Sequence, residues 1–154
     1  MQSSARARPQ HWKRPRKRVV RAGTGGDRGR CHQRECIDEG LKAIDEALHL
    51  LQQSGECFWE AEIYRVRGEL LLKQKESNRD EAQTSFERAI QIARAQTAKS
   101  LELRATTSLA RLLRDTNRRQ ETRAMLADIY GWFTEGFDSP DLKEANALLD
   151  ELES

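Results

Sequence analysis

The residues that could do chemistry cluster near the N-terminus, and none of the clusters has the full set its chemistry needs. Gly23-Thr24-Gly25-Gly26-Asp27-Arg28-Gly29-Arg30 has the glycine content of a phosphate-cradling loop. Such a loop ends in Gly-Lys-Ser/Thr, which sets a lysine on the phosphates and a hydroxyl on magnesium. That ending is missing, and no strand-like run precedes the glycines. Cys31, His32 and Cys36 are metal-ligating types at short spacing, with Cys57 downstream on the far side of a helix-like segment. A structural zinc site needs four ligands from paired short spacings, so no metal site is expected. Lys13-Arg14-Pro15-Arg16-Lys17-Arg18 could meet phosphates of a nucleic acid or an anionic membrane, an attraction that is real but unspecific. Weak, non-specific nucleic-acid binding is the most expected of residues 6–34. Elsewhere His11, His32 and His49 are scattered, and no Ser or Cys stands in a triad. The carboxylates follow helical surfaces beside basic residues. With no acid–base constellation, the expectation is a protein that is not an enzyme and holds no cofactor.

The elements that would position any of these groups follow from composition. The chain has 154 residues, 34% charged and 37% hydrophobic, which suits one solvated helical domain. No apolar run approaches the roughly 18 residues of a membrane span, and the N-terminus lacks the apolar region of a secretory signal. Three cysteines are an odd and sparse set, so a reducing cytoplasm is expected. The net charge of +2 hides a division. Residues 1–34 hold eleven Lys or Arg against one acid, Asp27, or +10; the remainder holds sixteen bases against twenty-four acids, or −8. Residues 1–36 have almost no apolar periodicity and contain Pro9, Pro15, Gly23, Gly25, Gly26 and Gly29. They form a basic tail that cannot bury enough surface to offset ordering, and disorder is expected. Arg-, Gly- and Pro-rich tracts are also what GC-rich DNA yields when misread. A poor gene start is therefore a further expectation, one that a peptide map of the natural protein lacking residues 1–35 would support.

From Ile37 the pattern becomes helical through 37–154. Ile37, Leu41, Ile44, Ala47, Leu48 and Leu51 recur at helical spacing and stop at Gln53-Ser54-Gly55. Further helices are predicted over about 59–74, 80–96, 99–114, 119–133 and 140–152. Ser139 reads as a cap and Pro140 as a first helical residue. The second helix carries two apolar stripes, Trp59, Ile63, Val66 and Leu70 beside Ala61, Tyr64, Gly68 and Leu71. Two stripes mean partners on two sides, as in the interior of a stack. No strand is predicted, and short turns make neighbouring helices antiparallel.

Ala82, Phe86 and Ala89 give A-x3-F-x2-A. This is the second-helix pattern of a tetratricopeptide unit, in which small residues let helices approach and the aromatic fills the gap. Gly68 takes the small position of the preceding helix, with Tyr64 and Leu71 around it; Arg67 stands where an apolar residue is expected. Gly40, Ile44 and Ala47 match the second-helix positions upstream, and Thr122, Leu126 and Ile129 downstream. The period from Ala47 to Ala89, and from Gly68 to Ala110, is 42 residues, longer than the roughly 34 of a standard unit. The predicted fold is all-α: a tetratricopeptide-like right-handed superhelix of antiparallel helix pairs, about two and a half repeats, with a C-terminal capping helix.

Leu41 to Leu152 resembles the C-terminal repeat region of large bacterial regulators built around a signalling ATPase, linked to adenylate or guanylate cyclase domains or to DNA-binding domains. The resemblance is carried by Trp59-Glu60-Ala61-Glu62, Arg67-Gly68-Glu69-Leu70-Leu71-Leu72, Ala98-Lys99-Ser100-Leu101-Glu102-Leu103-Arg104-Ala105 and the run Tyr130–Lys143. It implies lengthened repeat helices and a protein-contact role in signal transduction. It carries over no cyclase or ATPase activity, whose residues lie in domains absent from this chain.

In that register the first helix of each pair lines the concave face. The expected lining is Glu62, Arg65, Glu69, Leu72 and Lys73, then Arg104, Thr107, Arg111 and Arg114. The expected partner is an acidic or mixed-charge peptide, another protein, or sister domains of a parent regulator. The carboxylate-clamp subtype is not expected, because Glu69 and Arg111 stand where it needs Lys and Asn. Trp132, Phe133 and Phe137 are expected to latch the last helix rather than to form a docking knob. Helix 37–52 lacks its implied partner, so its stripe should be partly bare and could pair with another copy. The rival reading is a small nucleic-acid-binding protein with the basic tail as its working part.

Overall fold

The computed structural model describes residues 26–54 and 58–153. The described residues form six α-helices and no strand: α1 Gly26–Ser54, α2 Glu60–Gln74, α3 Arg79–Ala95, α4 Lys99–Leu113, α5 Arg119–Tyr130 and α6 Pro140–Glu153. A short 3-10 turn, Glu76–Asn78, leads into α3. Each helix packs against the next in sequence, and α2 touches α4 as α4 touches α6. Among the described residues α1, α3 and α5 make no comparable contact with one another. The helices therefore form two rows: α2, α4 and α6 in mutual contact, and α1, α3 and α5 laid over them. No helix among the described residues is long and apolar enough to cross a membrane.

The core explains the small residues. Ala82, Phe86 and Ala89 of α3 are fully buried. The Phe86 ring lies over Gly68 so closely that a Cβ there would sit 2.6 Å from its Cε1. Leu71, Ile90, Ala105, Leu109, Leu112 and Leu113 close this cluster. A second cluster joins Leu103 and Ala110 of α4 to Leu126 and Ile129 of α5 and to Leu142, Ala145, Leu148 and Leu152 of α6. Arg67, polar where an apolar residue is expected, spans the gap between α1 and α3. Its Nε donates to Asp45 at 3.4 Å and its Nη1 to Ser85 Oγ at 3.2 Å.

Helix ends recur in pattern. Arg79, at the start of α3, donates to the Leu112 carbonyl near the end of α4 at 2.9 Å. Arg119, at the start of α5, donates to the Glu151 carbonyl near the end of α6 at 2.5 Å. Both satisfy carbonyls that a helix C-terminus leaves open. Between α3 and α4 the chain turns through Thr97 at φ 53°, where Ala98 N–H donates to Ala93 and Thr97 N–H to Arg94. This Schellman closure usually uses glycine at the left-handed position.

Three expectations change. The segment 26–36 is the first part of α1 rather than tail: it holds no proline and several good helix formers, Arg28, Arg30, Gln33, Arg34 and Glu35. Gly26 to Arg30, read as part of a loop, are helical, while Lys13–Arg18 and Cys57 lie outside the described residues. The fifth helix stops at Tyr130 instead of 133, and Gly131 N–H closes onto Ala127. The aromatic latch is only partly a latch. Phe133 and Tyr130 pack on the second cluster beside Leu149, but Trp132 and Phe137 are 58% and 46% exposed.

Candidate functional site

Because α2, α4 and α6 begin at the same end of the molecule, their charged faces align side by side. On α2, Arg65 is held by Glu62, its Nη2 donating at 2.7 Å, and by Glu69. The hydrogen bond from Arg65 holds Glu62 below the usual carboxylate range, against the opposing pull of burial and with help from Arg104. The same bond holds the Arg65 guanidinium above its ordinary value. On α4, Arg104 bridges both neighbours: its Nε donates to Asp141 of α6 at 2.8 Å, and its Nη1 lies 3.8 Å from Glu62 of α2. Arg111 pairs with Glu144 of α6, and Arg114 donates to Glu151 at 3.2 Å. The row is thus acid–base–acid across three helices.

Two depressions open along this face. The first, about 220 Å3, is polar, lined by Arg65, Glu69, Arg104, Thr107, Arg111 and the α6 acids Asp141 and Glu144. Thr107 is buried and its hydroxyl donates to the Leu103 carbonyl, so it lines this space without offering a free donor. The second, about 670 Å3, has an apolar floor of Leu72, Phe86 and Leu112 under Lys73, Glu76, Arg79 and Arg111. Glu69, Ser108 and Arg111 border both, so the two are continuous. Ser108 Oγ donates to Glu69 at 3.3 Å at the junction. Arg114 edges a further hollow with Glu144, Leu148 and Glu151.

All nine residues read from the sequence therefore lie along one face. Their electrostatic states differ from one another. Arg65, Arg104, Arg111 and Arg114 are committed to carboxylates of this chain. Lys73 makes no ion pair or hydrogen bond among the described residues. The residues that sequence reasoning missed are Ser108 and the acids Asp141, Glu144 and Glu151. A signal existed for two of them: Arg104 to Asp141 and Arg114 to Glu151 are both separations of 37 residues.

A separate tie holds the α3–α4 junction. Glu102, 4% exposed, accepts from Arg94 Nε at 2.6 Å and Lys99 Nζ at 2.9 Å. Burial pushes its carboxyl upward, but these two hydrogen bonds and the charges behind them leave it below its ordinary range. Across the described residues no three metal-ligating side chains converge; Cys36 is a free thiol exposed on α1. Comparison with family models, with curated proteins and with solved structures finds no match to this chain.

Proposed function

We propose that this chain is a non-catalytic protein-interaction module that grips a peptide segment on its α2–α4–α6 face. The two-row arrangement reads as a tetratricopeptide-like right-handed superhelix, with α2 and α4 as first helices and α6 as cap. Three features support that reading: the Gly68–Phe86 contact, the buried Ala82 and Ala89, and the repeated arginine caps from Arg79 and Arg119. If adjacent first helices touch and second helices do not, the stack bends toward the first row, and a groove results. By the sequence resemblance, the parent context is the C-terminal part of a multidomain bacterial signalling or regulatory ATPase, cyclase-linked or transcriptional, with sister domains among its partners.

The observation that carries the reading is the larger depression. Its floor is apolar, and its rim holds Lys73, which has no partner among the described residues. Because the α4 arginines already face α6 carboxylates, recognition of a partner's acid concentrates at Lys73. The segment that fits presents one large apolar side chain to Leu72 and Leu112 with a carboxylate beside it. The test is a displayed-peptide selection against the full chain, followed by affinities for Lys73→Glu and Leu72→Glu. Selected peptides should pair an apolar residue with Asp or Glu, and each substitution should weaken them at least about tenfold. Absence of any enrichment, or binding indifferent to both changes, overturns the assignment.

A further inference from the structure

Arg65, Arg104, Arg111 and Arg114 all meet carboxylates of this chain, but they are not held alike. Arg65 lies between Glu62 and Glu69 and is largely sheltered. Arg104 lies between Glu62 and Asp141, and Arg114 between Asp115 and Glu151. Arg111 has Glu144 as its single partner among the described residues, and the two side chains are 49% and 41% exposed. An ion pair this open to solvent contributes little. Water and salt screen it, and two long side chains must be ordered to keep it.

Position sets Arg111 apart as well. Of these four arginines it is the one that borders the larger depression, whereas Arg65 and Arg104 border the polar one and Arg114 the outer hollow. Glu144 lines the polar depression and the outer hollow but not the larger depression. Lys73 of α2 and Arg111 of α4 therefore rise from the two helices whose Leu72 and Leu112 form the apolar floor. The other charges of this rim are already matched. Glu69 accepts from Arg65 and from Ser108. Arg79 donates to the Leu112 carbonyl and lies 3.8 Å from Glu76. Glu69 and Glu76 also repel an incoming carboxylate, which leaves it two places to sit.

We propose that Arg111 is a second anchor for the segment bound in this groove, and that Glu144 is its internal competitor. The inference rests on the peptide-binding reading above and sharpens the partner: a segment with two carboxylates, one on each side of its large apolar side chain. The first carboxylate meets Lys73, which has no partner among the described residues. The second takes Arg111 from Glu144. The exchange needs a new side-chain rotamer of Arg111 and no movement of α4 or α6. Glu144 then returns to water. The new pair forms beside an apolar floor from which the bound segment has driven water, where the attraction between guanidinium and carboxylate is stronger than at an open surface. Glu144 limits what the second acid contributes, because a partner gains only the difference between its own contact and the one displaced.

The experiment is a selection from displayed random peptides with one fixed leucine, run in parallel against the full chain, Glu144→Gln and Arg111→Gln. One enriched two-acid peptide is then titrated beside two forms of it, each with one acid replaced by its amide. Lys73→Glu identifies which acid sits at Lys73. The full chain should enrich acids on both sides of the leucine. Glu144→Gln should bind the two-acid peptide at least about threefold tighter and leave the form that keeps only the Lys73 acid unchanged. Arg111→Gln should lose selection for the second acid and bind those two peptides alike. Both substitutions replace partly exposed side chains, so both should keep the helical circular dichroism. Enrichment of a single acid, lost in Lys73→Glu and indifferent to Glu144→Gln, overturns the exchange and leaves the peptide-binding reading standing. Equal weakening of every peptide in Glu144→Gln makes the pair a tie that holds α6 in place and overturns the exchange as well. No enrichment against the full chain overturns both readings.

Discussion

Gly68 is the residue on which the repeat packing turns. Its Cα faces the Phe86 ring, and a methyl group added there would lie within 2.9 Å of three ring atoms. Phe86 is fully buried beside alanines that are themselves fully buried, though it also borders the larger depression. In an ordinary helix interior Gly→Ala stabilises by about 0.5–1 kcal/mol through backbone entropy. Here overpacking should reverse the sign. Gly68→Ala is expected to destabilise by about 1–3 kcal/mol in denaturant unfolding. A stabilised variant would mean that α2 and α3 can separate without loss. Lys73 argues the opposite case at the same scale: a charge with no partner among the described residues can be reversed with little effect on folding, so its loss should register in binding alone.

Helix junctions carry the pH dependence. Glu102 joins the end of α3, through Arg94, to the first turn of α4, through Lys99. Its carboxyl titrates below its ordinary value when folded. A depressed folded pKa means that the stabilisation is fully present above the unfolded value, about 4.3, and is lost as pH falls through the folded value. Glu62 is shifted the same way by Arg65 and adds to the slope. Glu102→Gln should lower stability at neutral pH by about 1–3 kcal/mol and flatten the decline on acidification. An acid-unfolding profile identical to that of the unchanged chain would remove Glu102 from this role. Helix number and the buried faces were legible in the sequence, because the buried stripes of α3, α4 and α6 are periodic and their turns are marked by Asn78, Asn117 and Pro140. Other features were not. The start of α1 carries almost no apolar residue for a period to reveal. The α6 partners of Arg104, Arg111 and Arg114 look, in sequence, like any solvated charged helix. A latch of Trp132, Phe133 and Phe137 is expected from their run before α6, yet Trp132 and Phe137 are exposed while Tyr130 and Phe133 pack on the second cluster.

Across the whole molecule, stability should grade along the stack. α4 packs against α2, α3, α5 and α6, whereas α1 packs against α2 alone. The residues of α4 from Ala105 to Ala110 are all buried, whereas on α1 Ile37 is the one buried side chain described. In a linear array each element is stabilised by its immediate neighbours, so opening free energies follow the number of covered faces. Amide hydrogen exchange should find α1 exchanging first. α3 and α4 should exchange last, near the global unfolding limit. α6 should fall between them: it closes the second cluster through Leu142, Ala145, Leu148 and Leu152 but has one face in solvent. Uniform exchange across all six helices would mean that the array unfolds as one unit.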